Sequence, residues 1–149
     1  MTPRWHILFG AIFSLVILLV TPNIGWFNII LIFLASFLID FDHYICAVFK
    51  SGKFSLFEAF RYHEEIDKVE EKKREKGIME KGELHFFHTI EFHVLIGLLG
   101  FYWIGFFYIF LGMVFHSLID LYSLFYSKEI YRREFFFVNW VWRRISKRD

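Results

Sequence analysis

The sequence predicts an all-α fold: a polytopic transmembrane bundle of about four helices closed by an interfacial C-terminal helix. Three observations predict it. The chain has 149 residues, 56% of them hydrophobic and 23% aromatic, yet 22% are charged. Those charges are segregated near the N-terminus, in residues 50–83 and in residues 128–149, whereas a soluble domain spreads charge over its whole surface. Finally, the two short turns at Thr21–Gly25 and Gly100–Gly105 contain no Lys or Arg. The length allows a single membrane domain.

The first apolar run, Trp5–Val20, follows Arg4 and is closed by Thr21-Pro22-Asn23. No small-x-small cleavage site follows it and His6 lies inside it, so it reads as a retained helix rather than a signal peptide. The second run, Gly25–Ile39, ends in Asp40-Phe41-Asp42-His43. Residues 50–84 form a charged cytoplasmic loop. The pairs Glu64/Lys68 and Glu70/Arg74 have the i,i+4 order of an exposed helix. Phe54, Phe57 and Phe60 would lie on the membrane surface, His63 in solvent, and Gly77 and Gly82 break the helix.

From His85 to Tyr126 the chain is too apolar and too long for one span, since a bilayer core of about 30 Å takes roughly 20 helical residues. Two helices with a turn at Gly100–Gly105 fit, and Phe101, Tyr102 and Trp103 then sit at the far interface. In the tail, residues 128–149, a helix would put Tyr131, Phe135, Val138, Trp142 and Ile145 on one face. Arg132, Arg133, Arg143 and Arg144 would flank that face. This is the pattern of an interfacial helix on anionic lipid headgroups; no nucleic-acid partner is expected. The positive-inside rule places loop, N-terminus and tail in the cytoplasm, across the inner membrane.

Ionisable groups within spans are costly, roughly 2.5–3.5 kcal/mol for Asp, and mark function by default. Here they share one depth. His6 lies near the inner end of the first span, and Asp40, Asp42 and His43 close the second. His85, His88, Glu91 and His93 open the third, and His116 and Asp120 lie in the last turns of the fourth. The outer halves contribute none. His116/Asp120 are i,i+4 and Asp40/His43 are i,i+3, so each pair shares a helix face. Asp42 points elsewhere on an intact helix, so it has a second role or the helix unwinds there. Carboxylates with neutral imidazoles suit zinc, manganese or iron(II). More than four donors points to more than one ion. The single cysteine, Cys46, excludes a disulfide and a cysteine-rich zinc module. The alternative for the whole group is an ion-paired polar core that fixes helix packing; His6 and His85 taken alone also read as interfacial residues.

His6 with Gly10, Asp40-Phe41-Asp42-His43, His88-Thr89-Ile90-Glu91-Phe92-His93 and His116-Ser117-Leu118-Ile119-Asp120 together resemble the YdjM-like family of inner-membrane proteins. That family is regarded as metal-dependent hydrolases distantly similar to the zinc-dependent phospholipase C and nuclease superfamily. The chain departs from it at Ile39, where the family has Pro, and in the third motif, which typically reads His-Arg-Gly-x-Thr-His. The resemblance implies His6, Asp40, Asp42, His43, His88, His93, His116 and Asp120 as metal ligands or their supports.

The expected activity is hydrolysis of a phosphoric ester of a lipid or other membrane-associated molecule, with a divalent metal, zinc first. Asp42 or Glu91 would be general base, whichever is left uncoordinated. Two other classes compete. Ion transport or sensing predicts polar groups through the full membrane depth. A non-catalytic scaffold would use only the basic aromatic tail.

Overall fold

The computed structural model describes residues 3–146; Met1, Thr2 and the final Lys147-Arg148-Asp149 of the expected tail lie outside the described residues. Seven α-helices and no strand occur among them. Helices α1 (Pro3–Val20) and α2 (Trp26–Leu38) flank the Thr21–Gly25 turn. Helix α3 (Phe41–Ser51) continues the line of α2, and α4 (Leu56–Glu75) folds back on α3. Helices α5 (Ile90–Leu99) and α6 (Ile104–Tyr126) form the second apolar hairpin, and α7 (Phe137–Ser146) ends the chain. Helix α2 sits between α1 and α6, and α5 packs on α6.

Two helical stretches, Trp26–Ser51 and Ile104–Tyr126, are long and apolar enough to cross a membrane. The expectation for the third span is too generous: α5 has 10 residues, about 15 Å at 1.5 Å per residue. The chain instead enters it through a 3₁₀ turn at Phe86–His88 and the extended Thr89, whose side-chain oxygen accepts from Phe92 N–H as the helix cap.

His6, Ser36, Asp42, His88, Thr89 and His116 are buried, while Leu19, Val20, Trp26, Phe101 and Tyr102 are 71–91% exposed. Two small apolar clusters hold the helices together. Ile24, Ile29 and Ile32 pack with Phe13, Ile17 and Leu111 near the apolar turns. Ala35, Ile39 and Met113 pack with Phe87, Phe92 and Ile96 directly beneath the polar groups.

The charged segment does more than solvate. Glu64/Lys68 pair as expected, at 3.1 Å. Glu70 and Arg74 do not pair with each other: Glu70 meets Arg132 and Arg74 meets Glu129. Helix α4 is thereby tied to the segment after α6. The tail is also corrected, because it is not one helix. Arg132 ends a 3₁₀ turn, and residues 133–136 run extended before α7 starts at Phe137. Gly82 N–H donates to Arg132 O at 2.8 Å and Ile90 N–H to Phe135 O at 2.9 Å, so Arg132 and Arg133 lie beside the 81–90 segment rather than on an interfacial face. Within α7, Val138, Trp142 and Ile145 remain exposed together.

Both α4 and α6 end in paired reverse hydrogen bonds. Gly77 N–H meets Arg74 O and Ile78 N–H meets Lys73 O; Lys128 N–H meets Phe125 O and Glu129 N–H meets Leu124 O. The left-handed residue is Gly77 (φ 71°) in one case and Lys128 (φ 58°) in the other. A side chain in that conformation costs about 1–2 kcal/mol. Lys128→Gly is therefore expected to stabilise the chain by about 1 kcal/mol, read as a higher thermal midpoint in detergent.

Candidate metal centre

The break between α2 and α3 creates the first part of the site. Asp40 N–H donates to Phe37 O, Asp42 N–H to Ile39 O and His43 N–H to Asp40 O, a tightened i to i−3 pattern over one turn. Asp40 and Asp42 consequently do different jobs. Asp40 faces α6, while Asp42 is buried and faces the 3₁₀ turn, where its Oδ2 accepts from Phe87 N–H and His88 Nδ1–H, each at 3.0 Å. Asp42 thus has a second role, and its turn is tightened rather than unwound.

Four donors converge. Asp40, His88, His116 and Asp120 each offer one atom within 4.8 Å of the others. His116 Nε2 lies 3.2 Å from His88 Nε2, 3.3 Å from Asp40 Oδ1 and 3.4 Å from Asp120 Oδ2. His88 Nε2 lies 3.5 Å from Asp40 Oδ1 and 3.8 Å from Asp120 Oδ2. Zinc–ligand bonds of about 2.0–2.2 Å in a tetrahedron imply edges of roughly 3.3–3.6 Å. The five separations above, 3.2–3.8 Å, lie close to the size a tetrahedral ion needs.

The hydrogen bonds behind the rings fix their tautomers. His88 Nδ1–H donates to Asp42, and His116 Nδ1–H donates to Ser36 O at 2.8 Å. Both Nε2 atoms then present lone pairs to each other and to two carboxylates. A proton between the rings relieves one contact; a cation at the centre relieves all of them. An imidazole held by a carboxylate or carbonyl on its far nitrogen is also the usual support of a metal-bound histidine. Asp40, His88, His116 and Asp120 can hold a metal ion.

The other candidate residues fall into distinct places. His6 Nε2–H donates to Asp120 Oδ1 at 3.2 Å and the ring stacks on His116 at 4.0 Å, so His6 orients Asp120 instead of adding a fifth donor. Asp42, His43 and His88 form a second, overlapping group of donors. His43 Nε2 is 3.7 Å from Asp40 Oδ1.

His93 and Glu91 join neither group. His93 Nδ1–H donates to Thr89 O at 2.9 Å, and its Nε2 accepts from Ser117 Oγ at 3.0 Å, which ties α5 to α6. Glu91 accepts from Phe137 N–H and Val138 N–H at 3.1 and 3.2 Å, capping the start of α7. The expectation that Glu91 acts as a general base is corrected, since both of its oxygens are committed to this cap. Asp42 is corrected likewise: it lies behind His88 and does not line the adjoining cavity. Glu91→Gln is expected to leave metal content unchanged while residues 137–146 exchange amide hydrogens faster, by the 0.5–2 kcal/mol that a cap is worth.

Two histidines read as solvated or interfacial belong near the site. His63 Nε2–H donates to His43 O at 2.8 Å, joining α4 to α3. The His85 ring stacks on His43 at 3.6 Å. Glu83 anchors this segment by accepting from Cys46 Sγ at 2.9 Å, from Tyr62 Oη at 3.1 Å and from Lys50. Burial alone raises its pKa, but these partners hold it below the usual glutamate value. Cys46 is therefore more than an apolar filler.

The donors open onto a cavity of about 910 Å³ between α3, α4 and the 123–134 segment. Asp40, His43, His63, His85 and Asp120 line it, together with Leu38, Phe41, Leu56 and Phe60, each about half exposed or more. Arg133 also lines it, with Nη1 at 3.0 Å from Asp120 Oδ2. Compared with protein families, curated proteins and solved structures, the chain finds no match.

Proposed function

We propose that this chain is an integral-membrane, metal-dependent hydrolase of phosphoric esters, acting on a lipid or another membrane-associated substrate. The observation that carries the reading is the set of four donors at tetrahedral edge lengths, delivered by α2–α3, the 3₁₀ turn and α6 to the floor of an amphipathic cavity. Zinc suits two imidazoles and two carboxylates best; manganese and iron(II) accept the same atoms. Asp40 and Asp120, with Asp42 behind His88, against Arg133 leave a surplus of two negative charges around the donors, which a divalent ion neutralises. Such an ion, when bound, supplies Lewis acidity and lowers the pKa of a bound water to about 7.

The protein's own groups have separable tasks. His6, Asp42 and Ser36 O orient Asp120, His88 and His116. His43 lines the cavity beside Asp40 and is placed to accept a proton from water, the task expected of Asp42 or Glu91. The apolar Leu38, Phe41, Leu56 and Phe60 suit a substrate whose hydrocarbon part stays in the bilayer.

The reading includes a four-span arrangement in which α1, α2, α5 and α6 cross the inner membrane, α5 as a short span completed by the 3₁₀ turn. Phe27 and Trp103 approach to 6.3 Å between ring centres, which supports the two uncharged turns sharing the outer end. The N-terminus, α4 and the tail then lie in the cytoplasm, with exposed Val138, Trp142 and Ile145 of α7 against anionic headgroups.

Purified protein in mixed micelles is expected to hydrolyse a phosphoric ester, to lose that activity on chelation and to regain it with zinc or manganese. Turnover that survives complete metal removal, or none on any phosphoester by fully loaded protein, rejects the assignment.

A further inference from the structure

Every basic side chain around the cavity except one is neutralised by an acidic partner outside the donor set. Among those that line it, Arg132 meets Glu70 and Glu129, Arg74 meets Glu129, and Lys68 meets Glu64. Arg133 alone has its carboxylate inside that set. Its Nη1 donates to Asp120 Oδ2, the same oxygen that faces His88 and His116. It has no other protein acceptor among the described residues.

The backbone holds it there. Arg133 follows the 3₁₀ turn in extended conformation; Lys81 Nζ donates to its carbonyl at 2.9 Å, and Gly82 N–H donates to Arg132 O. The guanidinium is 11% exposed and lines the cavity. An arginine that served only as counter-ion to a metal-ligating carboxylate would place two cations around one oxygen. That juxtaposition is favourable when an anion lies across both, and a planar guanidinium with free donors matches the oxygens of a phosphoryl group.

We propose that Arg133 is the anion-binding residue of this site, holding a phosphoryl group beside the metal donors; this deepens the hydrolase reading and rests on it. The cavity is also lined by the apolar Leu38, Phe41, Leu56 and Phe60, which suit a hydrocarbon chain, so the phosphoryl group can belong to a lipid headgroup or to a free phosphate.

The test measures binding rather than turnover. Inorganic phosphate and a short-chain phosphatidic acid in mixed micelles are titrated calorimetrically into the full chain with and without zinc, alongside zinc content. Arg133→Gln is expected to retain zinc while its affinity for both probes falls at least about tenfold, the size of a lost charge-assisted hydrogen bond; Arg133→Lys should recover part of that loss. Tighter binding of the lipid probe assigns the group to a headgroup, and equal binding assigns it to a free phosphate; both support the proposal. Unchanged affinity in Arg133→Gln with zinc retained, or no phosphate binding by zinc-loaded wild type, overturns it. A chain that takes up no zinc yet binds phosphate through Arg133 sinks the metal reading alone.

Discussion

On the proposed function, His116→Ala is expected to lower the metal affinity of the purified protein by at least about a hundredfold and to abolish phosphoester hydrolysis. The effect is large because His116 is fully buried and touches every other part of the centre: His88, Asp40 and Asp120 on one side, Ser36 O and the His6 ring behind it. Two companions separate ligand from support. His6→Ala removes only the group that orients Asp120 and should cost roughly 10–100-fold in affinity, as loss of such outer contacts does. His93→Ala, which breaks the tie to Ser117, should leave metal content intact. Elemental analysis and metal titration of the three proteins, with helicity as the folding control, read the order directly. Equal metal content in His116→Ala and wild type sinks the centre.

Gly112→Ala is expected to weaken metal binding without touching a donor. A Cβ at Gly112 would lie 2.3 Å from Ile32 O and 2.9 Å from Ala35 Cβ. Main-chain atoms of α2 cannot swing aside like the end of a flexible side chain, so α2 and α6 must separate. Asp40 follows the end of α2, and His116 and Asp120 follow Gly112 on α6, so the displacement opens the donor set. Overpacking of this kind costs about 1–3 kcal/mol. Gly97→Ala is the control: its added methyl meets Phe110 at 3.4 Å, an ordinary contact, and α5 should gain roughly 0.5–1 kcal/mol from the better helix former. Thermal unfolding in detergent and metal titration check both. A Gly112→Ala protein as stable and as metal-competent as wild type contradicts close packing of α2 on α6.

Gly112 shows one kind of information that spacing carries poorly. Small residues at helix crossings are a recognised feature of membrane bundles, and Gly10, whose Cβ would meet Ser36 Oγ, belongs to the same crossing network. Their presence was visible; the face each turned to its neighbour was not. Arg133 is a second case. Read as part of a periodic basic-aromatic helix, it belonged to the lipid surface. The left-handed Lys128 and the pairing of 132–135 with 82–90 break that helix and turn the side chain inward.

What the sequence determined by itself is the helical class, the segregation of apolar from charged segments, and the helix ends at which imidazoles and carboxylates gather. Composition and local period govern those, because burying an unsatisfied backbone or charge in hydrocarbon is costly wherever the helices lie. Only the tertiary structure decided which donors meet. The i,i+4 spacing put His116 and Asp120 on one face of α6, but helix rotation and a single 3₁₀ turn sent His88 to the centre, His93 to Ser117 and Glu91 to the cap of α7. Those outcomes depend on contacts between segments far apart in the chain, which no local pattern encodes.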